Sequence, residues 1–314
     1  MEQCWQMTDE ELNAWVRLST VPGLRLQDAV SLLEAFGSPV DAMDASRGTL
    51  RRHVPAEVAD RIASGPEDAQ EQIVSRTLAW LGRVNGAFAV TLSDPDFPKG
   101  LLETGCSPLV LYGLGDRELL GAKLVAILGT RHPSADGARD AYEFGAGLGK
   151  AGLTLLSPMM EGIDSESLRG ALEGEGGRAV VLCAAPLDRV YPASRRPLMA
   201  QAAKTGLLLS SLAPGTPLTD EAVKLRYQHL AGLASAVLVM EAGVMSKAIP
   251  VARAAGVLGR DLLAVPGNIH LPLSKGPNRL IREGARLVES VQDVAGEVLR
   301  LSDPVPRLRD RPFP

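Results

Sequence analysis

Apolar and polar positions divide the chain into two regimes. Up to about residue 82 the apolar residues recur at helical spacing. Asp9-Glu10-Glu11 opens a helix that carries Leu12, Trp15, Val16 and Leu18, and Val21-Pro22-Gly23-Leu24 makes a turn. Residues 29–37 form a short helix with a glycine stop, and further helices are expected around 41–52, 55–64 and 70–82. Beyond that point short apolar runs take over, each closed by Gly, Pro, Ser or a charge. They predict strands at 87–92, 108–113, 124–128, 153–156, 179–183, 207–210, 236–240 and 261–265. From residue 124 onward the strands alternate with helices around 138–150, 164–174, 194–204, 221–233, 246–258 and 276–284. That alternation predicts an α/β fold: a Rossmann-like, three-layer core with a mainly parallel sheet and ligands at the carboxyl ends of the strands. The expected domains are a helical one over 1–82, the α/β core over 83–292 and a short tail over 293–314, Pro- and Arg-rich and without regular structure from Ser302.

The buried-strand pattern is clearest at Leu124-Val125-Ala126-Ile127-Leu128, followed by Gly129-Thr130-Arg131 and a polar turn into a helix. Strand, short loop and helix N-terminus is a geometry that holds anions, through free backbone N–H groups, the helix dipole and here the charge of Arg131. A plain strand-to-helix turn reads the same way.

Charge and composition narrow the partners. The chain of 314 residues is 46% hydrophobic and 22% charged, with a net charge of −4. A globally basic nucleic-acid binder is excluded, while a local basic groove is not. Aromatics make up only 4%, so stacking platforms for bases are scarce. Cys4, Cys106 and Cys183 show neither metal spacing nor a disulfide framework, which predicts a reducing cytoplasm and no metal or cofactor. Met1-Glu2-Gln3-Cys4 does not read as a signal peptide, and no apolar run reaches membrane-spanning length, so neither a leader nor a membrane span is expected. The turn at residues 21–24 resembles a helix-hairpin-helix with Arg25 in place of its second Gly; a helical domain that only packs is the other reading.

The loops after the strands carry a longer ordered set of motifs. Asp94-Pro95-Asp96-Phe97-Pro98 precedes the Gly129-Thr130-Arg131 turn, and Gly162-Ile163-Asp164 follows with Arg169-Gly170-Ala171-Leu172. Next come Leu187-Asp188 with Tyr191-Pro192, Pro214-Gly215-Thr216-Pro217, and Leu230-Ala231-Gly232-Leu233. Glu241-Ala242 with Ser246, Ala264-Val265-Pro266-Gly267 and Asn278-Arg279-Leu280-Ile281 complete the series. Together these resemble the DprA/Smf family, bacterial DNA-processing protein A, from about residue 10 to residue 292. The resemblance implies a protein that is not an enzyme, binds single-stranded DNA in a basic pocket, forms homodimers and loads a RecA-type recombinase during natural transformation. The DNA-contacting residues expected on this basis are Gly129, Thr130, Arg131, Ser157, Gly162, Lys224, Arg226, Tyr227, Ser246, Lys247, Lys275 and Asn278, of which Lys247 is new relative to the family pattern and replaces lost charge. It also implies dimerisation through roughly 255–292, where Leu262, Leu263, Ile269, Leu271, Leu273 and Leu280 offer apolar area. The winged-helix domain that some members carry at the C-terminus is expected to be absent.

Departures from the family pattern fall on the pocket. Pro158 stands for a Gly, Glu161 reverses the charge of an Arg, Leu168 replaces a His, and Gln228 replaces the second of two arginines. Arg131, Lys224, Arg226, Lys247, Lys275 and Arg279 are the cations still on offer; Lys247 and Lys275 also read as solvated surface. Tyr227 either stacks on a base or packs against the sheet. Asp164 and Glu241 resemble catalytic carboxylates but are expected to cap helices or brace loops. Two rival readings stay open: a diverged paralogue that no longer binds DNA, and a nucleotide-hydrolysing enzyme using the loop at Pro214-Gly215-Thr216-Pro217.

Overall fold

The computed structural model describes residues 7–191 and 193–300. Cys4, Pro192 and the tail from Ser302 lie outside the described residues. In chain order the first elements are α1 (Asp9–Ser19), α2 (Leu26–Phe36), α3 (Pro39–Met43), α4 (Arg47–Leu50), α5 (Ala56–Ala63), α6 (Asp68–Arg83), β1 (Ala87–Thr91) and β2 (Val110–Gly115). Next are β3 (Leu124–Leu128), α7 (Ala135–Lys150), β4 (Thr154–Ser157), α8 (Ile163–Glu173), β5 (Ala179–Leu182), α9 (Arg196–Thr205), β6 (Leu207–Ser210) and α10 (Asp220–Leu233). The chain closes with β7 (Ala236–Val239), α11 (Ala248–Val257), β8 (Asp261–Ala264), α12 (Lys275–Arg282), β9 (Arg286–Leu287) and α13 (Val291–Leu299).

The chain forms two compact units. One holds the described residues up to Gly121 together with Val181–Gly232; the other holds Ala122–Val180 and the described residues from Leu233. In the first unit α1 starts at a capping box: Thr8 Oγ1 accepts from the Glu11 amide (3.1 Å) and the Glu11 carboxylate accepts from the Thr8 amide (2.9 Å). The expected helix at 41–52 is broken in two, because Ser46 accepts from the Thr49 amide and starts α4 afresh. The helical core of Trp15, Leu18, Leu32, Leu50, Val58, Ile62, Val74 and Trp80 continues onto Val110 and Tyr112 of β2. Strand order here is β1-β2-β6-β5, with β1–β2 and β2–β6 antiparallel.

The second unit is the parallel part, with strand order β4-β3-β7-β8-β9. β3 pairs in parallel with β4 and β7, β7 with β8, and β8 with β9. All five residues of β3 are buried, as its unbroken apolar run requires. The chain leaves β3 towards β4 on one side, whereas β7 lies on the other. The carboxyl end of β3 is therefore a topological switch point. α13 was not expected; Ser290 accepts from the Asp293 amide to start it, and Val294, Ala295 and Val298 form its buried side.

Glycines let α7 and α8 meet backbone to backbone. A Cβ on Gly145 would sit 2.0 Å from the Ser167 carbonyl oxygen, and one on Gly170 would sit 2.0 Å from that of Tyr142. Gly170→Ala should cost about 1–3 kcal/mol of stability through overpacking. Gly82→Ala on α6, where a Cβ meets nothing within 4 Å, should instead gain about 0.5–1 kcal/mol. Urea unfolding of both variants checks this; equal effects at the two sites would contradict the packing.

Candidate nucleic-acid interface

Three loops of the second unit converge at the carboxyl end of β3. The Thr130 amide donates to the Glu241 carbonyl (2.6 Å), tying the turn after β3 to the loop after β7. The Ile163 amide donates to the Thr130 carbonyl (3.1 Å), adding the loop after β4. The approach is too close for side chains. A Cβ on Gly129 would lie 2.6 Å from Ile163 Cγ1, and one on Gly162, at φ +75°, would lie 2.2 Å from the Thr130 oxygen. The Gly of Gly162-Ile163-Asp164 thus serves both its conformation and its contact.

Two carboxylates brace these loops, as expected of them. Glu241 accepts from the Ser134 amide (2.7 Å) and from Ser134 Oγ (2.5 Å), at the first turn of α7. Ser134 Oγ in turn accepts from the Gly137 amide (3.0 Å) and caps the helix. A Cβ on Gly137 would come within 2.4 Å of the Glu241 carboxylate, so a larger residue there would displace that side chain from the turn. Asp164 is buried and accepts from Ser157 Oγ (2.7 Å) and from the Met160 amide.

The donors of the turn after β3 are therefore largely spent within the protein, contrary to the expectation of free N–H groups facing a crevice. Thr130 and Ser134 give their amides to Glu241, and His132 gives its amide to Thr130 Oγ1 (3.2 Å). Arg131 is exposed and makes no ion pair among the described residues. Its guanidinium, rather than the helix end, is the anion-seeking group of this turn.

The remaining expected contacts sort by unit. Ser246 and Lys247 sit in the loop after β7, where Ser246 Oγ accepts from the Ala248 amide (3.3 Å) just ahead of α11, and Lys247 is exposed. Lys275 is exposed at the start of α12, which is tied to the same loop by the Gly276 amide donating to the Ala242 carbonyl (2.9 Å). Asn278 pairs its amide with the backbone of Gly267, donating at 2.8 Å and accepting at 3.1 Å, and so braces a loop. Arg279 is committed to Glu283 (2.8 Å), whose carboxyl is held below its ordinary range by Arg253 and Arg279. Ser157 needs correction as a DNA contact. It is wholly buried, and besides donating to Asp164 its hydroxyl accepts from the Met159 amide (3.0 Å).

Lys224, Arg226 and Tyr227 stand on α10 in the first unit. Lys224 is exposed. Arg226 is only 8% exposed, with its guanidinium 5.2 Å from the ring centroid of half-buried Tyr227, so Arg226 is not the open contact expected. Gln228 accepts from the Cys106 thiol (3.2 Å). Burial pushes the Cys183 thiol up to about 12, which makes it unreactive. In the loop of the hydrolase reading, the Gly215 amide donates to Asp188 (2.9 Å) and the Thr216 amide to the Ala213 carbonyl (3.0 Å). Those amides are no longer open to a nucleotide phosphate. Among the described residues no three His, Cys, Asp or Glu side chains cluster to hold a metal, and no helix is long and apolar enough to cross a membrane.

Comparison with known proteins decides the family. Residues 88–299 match the family described as DNA recombination-mediator protein A. The chain belongs to that family. Among similar proteins, DNA processing protein DprA of Streptococcus pneumoniae is 33% identical over 207 residues, covering 66% of this chain and 73% of that one. Protein Smf of Escherichia coli is 30% identical over 293 residues, 92% of this chain and 75% of that one. The X-ray structure of the S. pneumoniae protein superposes with a TM-score of 0.75 at 28% identity, covering 93% of this chain and 98% of that one. A structure of DNA processing protein A from Helicobacter pylori, determined for its single-stranded DNA binding mode, shares the fold at a TM-score of 0.61 and 24% identity, over 70% of this chain and 99% of that one. Members of the DNA recombination-mediator protein A family act in DNA processing and recombination. The sequence reading of family and fold class agrees with these findings.

A buried histidine supplies a pH test of the first unit. His229 on α10 is 2% exposed; one ring nitrogen, Nε2, lies 2.9 Å from the Cys106 carbonyl, and the other, Nδ1, has no partner among the described residues. Burial pushes its pKa below the ordinary value. Its neutral form is the one that fits, so stability should be intact above the unfolded pKa of about 6.5 and fall as pH drops below it. Urea midpoints between pH 7.5 and 5.5 should decline more steeply in the parent than in His229→Gln. Identical pH profiles would contradict the assignment.

Proposed function

We propose that this chain binds single-stranded DNA at the carboxyl edge of its second unit, without catalysing a reaction. In this reading it acts in DNA uptake and natural transformation in the cytoplasm, protecting an incoming strand and passing it to a RecA-type recombinase. The observation that carries the reading is Arg131: an exposed cation, without an ion-pair partner among the described residues, on a turn fixed from three sides at the switch point, with exposed Lys247 and Lys275 on loops tied to one another. Family membership supports it, as does the single-stranded DNA binding of the H. pylori protein. The phosphate path differs from the one expected from sequence. Arg131, Lys247 and Lys275, all on the second unit, carry it, since Arg226 and Ser157 are buried.

The proposal includes a homodimer through roughly 255–292. Leu263 and Leu280 are buried in the core and drop out of the expected contact set, while Ile269 and Leu271 are exposed and remain. Light scattering should give twice the chain mass for the parent and monomer for Leu271→Asp. A parent that stays monomeric at micromolar concentration would overturn the dimer.

Titration with oligo-dT at two salt concentrations tests the site. Each phosphate neutralised contributes about −0.7 to the slope of log affinity against log salt. Arg131→Ala should weaken binding and make that slope shallower by about one contact. Glu161→Arg should tighten binding and steepen it. Binding that is undetectable in the parent and absent in Glu161→Arg would refute the DNA site and favour a diverged paralogue.

A further inference from the structure

The loop after β7 exposes apolar side chains where the proposed site has its cations. Met245 is 92% exposed and Val244 47%, between Glu241, which is bonded to the turn of Arg131, and exposed Lys247. A methionine left this far in water gives up the burial its apolar side chain would gain in the core. The turn itself is fixed: the Ser246 amide donates to the Gly243 carbonyl (2.9 Å) and the Ala242 amide to the Leu273 carbonyl (2.7 Å). Met245 is thus presented outward by a braced loop.

Among its described residues the second unit offers no Phe, Tyr or Trp there. Its described Phe, Tyr and Trp residues are Tyr142 and Phe144, both on α7. Phe144 is buried, and Tyr142 donates to Glu173 (2.9 Å) under the Arg169 guanidinium, 5.2 Å from its ring centroid. The imidazoles of His132 and His270 are the other exposed rings of these loops.

We infer that Met245 is the base-contacting residue of the site, packing its thioether against an unstacked base while the neighbouring cations hold the backbone. The chemistry is suitable: a methionine side chain is polarisable, flexible and attracted to aromatic edges and faces, and methionine serves other DNA-binding proteins as an apolar wedge. Such a contact needs a base free of its duplex, so it selects single strands. This inference rests on the DNA-binding reading above and adds to it a base-dependent component that charge cannot supply.

The test uses the full chain with oligo-dT and with an abasic deoxyribose-phosphate strand of equal length. The parent should prefer oligo-dT by about fivefold or more. Met245→Ala should erase that preference while leaving the salt slope unchanged, and Met245→Trp should restore it. Lys247→Ala should do the reverse, keeping the preference and flattening the slope. A preference that survives Met245→Ala, or that falls with His132→Ala instead, overturns the inference. So does a Met245→Ala variant whose only change is loss of self-association in light scattering, which would make Met245 a contact between copies. A parent that binds neither strand defeats the DNA-binding reading itself, and a parent that binds both equally defeats only the base contact.

Discussion

The candidate site depends on one carboxylate. Glu241 joins two loops at the point where the strand order of the second unit reverses, through its backbone oxygen to Thr130 and its side chain to Ser134. Placing a negative charge at the first turn of a helix is favourable through the helix dipole. Here it also fixes the turn that carries Arg131. Gly129, Gly137 and Gly162 are the sequence's accommodation to this closeness, since each would clash with a neighbouring loop if it bore a Cβ. Ser157 and Asp164 do the same work one strand over, inside the protein.

This arrangement changes how an anion would be held. In many α/β sheets the helix N-terminus itself meets the ligand's phosphate. In this chain the protein's own carboxylate sits against that first turn, and the exposed side chains around it carry the charge. Side-chain cations at an exposed edge suit a repeating polyanion, whose successive phosphates meet separate charges, better than a single small anion that needs an enclosed cradle. The chain's net charge of −4 is compatible with this, because attraction is set by the local cluster.

Much of the fold was legible. An apolar run such as Leu124–Leu128 can satisfy itself only with both faces covered, and the alternation after it leaves little topological freedom. Asp164 and Glu241 were readable as braces because carboxylates next to helix starts have an obvious backbone partner. α13 was missed although its signals were present: Ser290 and Asp293 form a capping box, and Val291, Val294, Ala295 and Val298 repeat at helical spacing. The fate of individual polar side chains was less legible. Ser157 ends its strand with a hydroxyl that could face either way, and its partner Asp164 is seven residues on. Arg226 looks like any surface cation in Lys224-Leu225-Arg226-Tyr227, yet the fold buries it beside Tyr227. Such outcomes depend on which neighbours long-range packing supplies.

In the proposed reading, the turn after β3 and the loop after β7 receive single-stranded DNA. Amide hydrogen exchange of the full chain, with and without saturating oligo-dT, reports on both loops at once. Added protection is expected over residues 130–134 and 243–248, with the described helices of the first 83 residues unchanged. Protection confined to those N-terminal helices, or none in either loop at saturation, would contradict it.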